Sequence, residues 1–209
     1  MPCNLKSRSQ KWKADTHTSK EVRIPGWVGI GATSTAENIE VHVFCDASKK
    51  AYGAFVYMKV RHGPNGSSLE LLMWKARVAL SKVTMPRLEL TATVLDARFV
   101  QFVSRELNIS EPRIVCWTDS TIALNWIRGT STQSKQFVSN RISEIQSLTE
   151  LTAWRYCPTK DNPADLLSRG CSLTKLRKMC LWWHGPNWLK ASDSLWPTEP
   201  DNTLSEDVS

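Results

Sequence analysis

The chain is expected to fold as an α/β domain, a five-stranded mixed sheet flanked by helices, with irregular extensions at both ends. Three features carry that expectation: paired alternating apolar runs early in the chain, one long helical periodicity after them, and a later β-rich run leading straight into a capped helix. Glu40-Val-His-Val-Phe-Cys-Asp46 alternates as a strand, and Gly53-Ala-Phe-Val-Tyr-Met-Lys-Val60 is a second, with 47–52 as the turn of a hairpin. Gly63-Pro-Asn-Gly-Ser-Ser68 is turn chemistry, after which Leu69 to Ala79 closes a three-stranded meander. Pro86 offers a first helical position, and Leu88, Ala92, Leu95, Phe99, Phe102 and Val103 recur at helical spacing as far as Leu107. Arg113 to Asp119 is a short β-rich run; Asp119 or Ser120 caps a helix through Ile127 that Gly129 ends. Phe137, Ile142, Ile145 and Leu148 mark another helix, Ala153 to Cys157 a last strand, and Asn162-Pro163 the start of a final helix. The order is βββ-α-β-α-α-β-α.

Around this domain, placed at 39–172, residues 1–38 read as a basic arm and linker, and 173–209 as a Trp-rich connector with an acidic tail. The whole has 209 residues, which excludes a multidomain machine, and no run approaches the apolar length of a membrane span. The first 23 residues have no apolar stretch of the kind a secretory leader carries. Six cysteines are scattered without tight spacing, as in an intracellular protein with reduced thiols. Net charge is +7; residues 1–23 carry six Lys/Arg against two acids and residues 185–209 one Lys against five acids, so 24–184 alone nets +7, which suits a polyanionic partner as well as a solvated surface. Of ten tryptophans, Trp12, Trp27, Trp182, Trp183, Trp188 and Trp196 fall outside the core segment, so the flanks hold apolar anchors that need something to bury them.

Three acids fall where strands end or a helix begins: Asp46, Asp119 and Glu89, the last in the first turn of the long helix. A fourth, Asp165, opens the last helix. Singly, each has an ordinary role as a cap, a turn residue or a solvated acid. Jointly they fit one order of strands and helices: with the first and fourth strands adjacent, Asp46 and Asp119 leave neighbouring strand ends, and a helix packed across the sheet brings Glu89 over them. Carboxylates brought that close repel and raise one another's pKa, so such a cluster suits hard divalent cations, with Mg²⁺ the expected occupant. Two ions about 4 Å apart serve in-line hydrolysis of a phosphodiester. Asp96 lies roughly 10 Å further along the helix axis and is set aside.

The residues at these positions resemble a known family. Phe44-Cys-Asp-Ala-Ser48, Pro86-Arg-Leu-Glu-Leu90, Trp117-Thr-Asp-Ser120 and Asn162-Pro-Ala-Asp-Leu-Leu-Ser-Arg-Gly170 look like the ribonuclease H segment of the polyprotein of BEL/Pao-type LTR retrotransposons, in order and spacing. The resemblance covers roughly residues 22 to 190; Ile24-Pro-Gly-Trp27 is similar to the junction after the reverse transcriptase, and Trp182-Trp-His-Gly-Pro-Asn-Trp188 to the stretch before the integrase. It implies a ribonuclease H-like fold and a metal-dependent endonuclease that hydrolyses the RNA strand of RNA·DNA hybrids during reverse transcription. Asp46, Glu89, Asp119 and Asp165 then take the places of the catalytic, metal-binding acids, with two Mg²⁺ ions or Mn²⁺ in their stead. The implied partners are the hybrid and the reverse transcriptase and integrase portions of the same polyprotein, without a membrane, in a cytoplasmic particle or the nucleus. Many relatives place a His in the loop before the last acid, whereas Tyr156-Cys-Pro-Thr-Lys-Asp161 has none. The basic helix and loop with which some relatives grip a hybrid is also not evident between Gly129 and Phe137.

Lys49, Lys50, Arg87 and Ser120 lie near the acids in sequence and are candidate contacts to a nucleic-acid backbone. Cys171, Cys180 and His184, with Cys157, lack the tight Cys-x₂₋₄-Cys spacing of a zinc site. Trp182, Trp183 and Trp188 are better suited to docking on the sheet or a neighbouring domain than to stacking on bases. The rival to the nuclease is a catalytically inactive retrotransposon-derived fragment that binds nucleic acid or serves assembly.

Overall fold

The computed structural model describes residues 38–63, 66–107, 112–129 and 136–200. The basic arm before residue 38, Trp12, the Ile24-Pro-Gly-Trp27 stretch and residues 201–209 of the acidic tail lie outside them.

Strand β1 (Ile39–Ala47) is buried along its whole length because it is the middle strand of five. It pairs antiparallel with β2 (Ala51–Arg61), which pairs antiparallel with β3 (Ser67–Val78); on its other side it pairs parallel with β4 (Arg113–Thr118), followed by β5 (Trp154–Tyr156). The order β3-β2-β1-β4-β5 is the expected mixed sheet, with the first and fourth strands adjacent. Helix α1 (Met85–Leu107), α2 (Thr121–Arg128) and α3 (Gln136–Leu148) cover one face. Strand alternation sends Val41, Val43 and Cys45 into that face, and Phe44 of β1 with Val115 and Trp117 of β4 into the other.

The helix ends follow local chemistry. Ser120 is the N-cap of α2, accepting from the Ala123 amide at 3.1 Å. Gly129 ends α2 with φ −79°, not in the left-handed region; a Cβ there would meet the Asn125 carbonyl at 2.9 Å, so close approach explains the glycine. Helix α1 begins one residue before Pro86, which the first turn tolerates because an amide there has no intrahelical partner. Glu89 therefore stands in the second turn, not the first.

The second face is closed by the C-terminal part of the chain. Helices α4 (Asp165–Arg169), α5 (Leu173–Leu176) and α6 (Cys180–His184) and the turns after them bring Trp182, Leu189 and Trp196 into one cluster with Phe44, Phe55 and Trp117. The Trp182 ring meets Phe55 edge-on at 4.6 Å, and Trp196 meets Trp117 edge-on at 5.2 Å. The C-terminal anchors thus find their cover on this chain's own sheet. Tyr57 fastens the segment by donating to the carbonyls of Leu181 (3.0 Å) and Trp182 (2.8 Å).

Helix α4 comes close to β2 at Gly53, the partner of Asp46 in the β1–β2 register. A Cβ on Gly53 would stand 2.7 Å from the Lys75 carbonyl and 2.9 Å from a methyl of Leu167. Gly53→Ala is expected to cost about 1–3 kcal/mol by overpacking, and to lower the calorimetric midpoint by roughly 2–10 °C. An unchanged midpoint would show that both the Lys75 carbonyl of β3 and α4 give way.

Candidate active site

The parallel register sets Cys45 opposite Thr118, so Asp46 and Asp119 leave neighbouring strand ends side by side. Asp165 is the first residue of α4, and Glu89 comes from α1 on the helix-covered face. Asp46 is 7% exposed. Burial raises its carboxyl to a pKa of about 7; the charges of Asp119 and Asp165 push the same way, and the Ser168 hydroxyl pulls back. Burial also raises Asp119, against hydrogen bonds from the Thr159 hydroxyl and the Asp46 carboxyl, while the charge of Asp165 adds to the rise. Three aspartates from β1, the end of β4 and α4 therefore share one electrostatic site. Glu89 joins through Ser120, whose hydroxyl donates to Glu89 Oε2 at 2.6 Å.

Each acid also has its own partner. Ser168 Oγ donates to Asp46 Oδ2, and Ser168 is itself placed by Ser48, which donates to its carbonyl at 2.6 Å. Arg169 pairs with Asp165 one helical turn away. As they stand, no three His, Cys, Asp or Glu side chains among the described residues are close enough together to hold a metal ion. The donors nevertheless fit a hard cation in chemistry: they are carboxylate oxygens, partly buried, and mutually repelling at neutral pH.

The loop before Asp165 is tied to the site at several points that sequence reasoning missed. Asn162 Nδ2 donates to the Cys45 carbonyl at 2.9 Å, and its Oδ1 accepts from the Ala164 amide at 3.0 Å. The carbonyls of Asn162 and Pro163 accept only three-residue turn bonds, from the Asp165 and Leu166 amides at 3.2 Å, and the first α-helical bond runs from the Ser168 amide to the Ala164 carbonyl at 3.1 Å, so α4 starts at Asp165, two residues after Pro163. Asn162-Pro163 is an Asx-turn signal, and Ser168 follows Asp165 by three residues, one helical face; both were available in the sequence.

Of the candidate backbone contacts, Lys49 and Lys50 are exposed in the β1–β2 turn beside Asp46. Arg87 lies over the Phe137 ring, 5.0 Å from its centroid, at the seam of α1 and α3. Ser120 is buried, its hydroxyl engaged by Glu89 and the Ala123 amide, which removes it from the surface a nucleic acid would meet. Cys157 is buried and Cys180 exposed, and with Cys171 they carry free thiols.

The sequence model of the family described as Pao retrotransposon-like RNaseH-like domain matches residues 1–120. No curated protein matches the chain in sequence. Among solved structures, the N-terminal ribonuclease H domain of a Mycobacterium tuberculosis protein is 14% identical with a TM-score of 0.44, over 63% of this chain and 91% of that one. A ribonuclease H1 in complex with an RNA/DNA hybrid is 13% identical with a TM-score of 0.46, over 66% of this chain and 99% of that one. The prototype foamy virus protease-reverse transcriptase is 13% identical with a TM-score of 0.37, over 68% of this chain and 21% of that one.

Proposed function

The chain belongs to the Pao retrotransposon-like RNaseH-like domain family, and from that membership we propose that it hydrolyses the RNA strand of RNA·DNA hybrids during reverse transcription, with divalent metal ions held by Asp46, Glu89, Asp119 and Asp165. The observation that carries the reading beyond a nuclease of the ribonuclease H type is the burial of Asp46 beside Asp119 and Asp165, which together raise its carboxyl to about 7. Negative charge collected at one sheet end without arginine on its buried members is a feature that a bound cation relieves.

Mg²⁺, or Mn²⁺ in its place, supplies when bound the activation of a water and the neutralisation of charge on the leaving oxygen. The chain's own residues do the rest. Ser168 and Thr159 fix the rotamers of Asp46 and Asp119 through their hydroxyls. Ser120 holds Glu89 at the N-terminus of α2. Lys49 and Lys50, exposed beside Asp46, meet the phosphate backbone without reading sequence. The working setting is the particle or nucleus in which reverse transcription occurs, alongside the reverse transcriptase and integrase portions of the polyprotein.

The hydroxyl and guanidinium partners on each acid also favour a second reading, a non-catalytic fragment that binds nucleic acid. Incubation with RNA·DNA, RNA·RNA and DNA·DNA duplexes separates the two. The expected result is cleavage of the RNA strand of the hybrid alone, in Mg²⁺ or Mn²⁺, abolished by chelation. Salt-sensitive hybrid binding without turnover in either metal would select the second reading.

A further inference from the structure

Trp188 follows every acid of the site in the chain, yet it touches the two strands that lead to Asp46 and Asp119 and the loop that leads to Asp165. Its ring centroid is 4.8 Å from that of Trp117 and 6.2 Å from that of Phe44. Phe44 precedes Asp46 by two residues in β1, so that aromatic and that acid share one face of the sheet, while Trp117 stands near the end of β4, which Asp119 follows directly. The indole Nε1–H donates to Asp161 Oδ2 at 3.3 Å. Asp161 ends the single turn Thr159–Asp161, from which Thr159 reaches Asp119, and the next residue, Asn162, holds the Cys45 carbonyl beside Asp46.

We propose that Trp188 is a positioning residue for the candidate active site: its ring sets the two strand ends that carry Asp46 and Asp119, and its N–H anchors the loop that leads to Asp165. This rests on the hybrid-nuclease reading. The loop that relatives furnish with a histidine is here fixed from behind, by a side chain of the C-terminal segment. A half-buried indole fits the task because its ring fills the aromatic cluster while one polar atom reaches the loop. Trp188 makes no contact with substrate in this role; it acts through Asp161 and the two aromatic rings.

The test uses the full chain and four variants. Trp188→Phe keeps a ring and removes the N–H; Asp161→Ala removes the acceptor without touching the core; Asp161→Asn keeps an acceptor oxygen; the fourth combines Trp188→Phe with Asp161→Ala. Turnover of an RNA·DNA hybrid is expected to fall about five- to tenfold in Trp188→Phe and in Asp161→Ala, with KM unchanged. The combined variant is expected to fall no further, because one interaction is removed twice. Asp161→Asn is expected to recover most of the turnover. Turnover equal to wild type in Asp161→Ala, or additive losses in the combined variant, would overturn the proposal. A wild-type chain that cuts nothing would overturn the nuclease reading instead. The brace would then be decided by calorimetric Mn²⁺ titration, with affinity expected to fall severalfold in Asp161→Ala and to recover in Asp161→Asn. Equal Mn²⁺ affinities, or no Mn²⁺ binding by the wild-type chain, would overturn the brace as well.

Discussion

Asp46→Asn is expected to abolish hybrid cleavage, by about 10³-fold or more, and at the same time to stabilise the metal-free protein above neutral pH. The two effects have one cause. Burial and the neighbouring charges of Asp119 and Asp165 raise Asp46 from the ordinary 3.8 to about 7, so the folded protein holds a proton there more tightly than the unfolded chain. As pH rises from about 4 to about 7 the unfolded chain loses that proton first, and stability falls, by up to roughly 4 kcal/mol for a shift of this size. Asparagine removes the titration while keeping an acceptor oxygen for Ser168. At pH 8 without metal, Asp46→Asn should therefore unfold about 1–3 kcal/mol later than wild type, allowing for relaxation around the charge. At pH 4 the two should coincide. Mn²⁺ should close the gap at pH 8 by stabilising wild type alone. Denaturant melts across this pH range, with and without Mn²⁺, check all three. A variant less stable than wild type at pH 8 would mean that Asp46 is held by favourable contacts and not crowded, with no excess charge there for a cation to relieve.

The positions of these acids could be read from the chain because they depend on local signals. A strand period ending at Asp46, another ending beside Asp119, and a cap at Ser120 are each written within a few residues. The neighbour relation of β1 and β4 follows from a βββ-α-β order once a sheet is assumed. The hydroxyl on Asp46 was not so plain, because Ser168 lies 122 residues from its partner. Nor was the lid on the second face: Trp182, Leu189 and Trp196 show no helical or strand period, since the surface they fit is assembled from Phe44, Phe55 and Trp117 on three different strands. Glu40 shows the limit most sharply. In an alternating strand it reads as an outward polar residue, but the C-terminal segment covers that side and leaves it 1% exposed. Only the neighbouring strands reveal why a carboxylate is tolerated there: Lys59, Arg61 and Arg113 all reach it.

That same buried carboxylate carries the largest stability effect, with Glu40→Gln expected to cost about 3–5 kcal/mol. Trp117 Nε1 donates to His42 Nδ1 at 3.2 Å, and burial lowers the His42 pKa, so the ring is neutral with its hydrogen on Nε2. Nε2 then donates to Glu40 Oε2 at 3.1 Å. The same oxygen lies 3.4 Å from Lys59 Nζ, and Arg113 Nη1 lies 3.1 Å from the other. Burial works to raise the Glu40 pKa, but the His42 hydrogen bond and the charges of Lys59 and Arg61 outweigh it and bring it to about 2. A carboxyl lowered from 4.5 lends stability that is full above about 4.5 and lost as pH falls toward 2, about 3 kcal/mol over the interval. Arg61 and Arg113 are 43% and 40% exposed, so solvent screens their share, and the buried pair of Glu40 and Lys59 bears most of the effect. Glutamine removes the charge and puts an amide N–H₂ in place of one carboxylate oxygen, facing either Lys59 and the His42 N–H or Arg61 and Arg113, so one of these donor pairs loses its acceptor. Because Lys59 and Arg113 also flank the Trp196 ring, the variant should loosen the C-terminal segment first, seen as a red shift of tryptophan emission before the main urea transition. Adding Lys59→Met to Glu40→Leu should recover part of the loss, since Arg61 and Arg113 keep Asp193 and solvent while the buried His42 N–H is left without its acceptor. A Glu40→Gln variant within about 1 kcal/mol of wild type would place the network at the solvated surface, and the second face would then be held by its tryptophans alone.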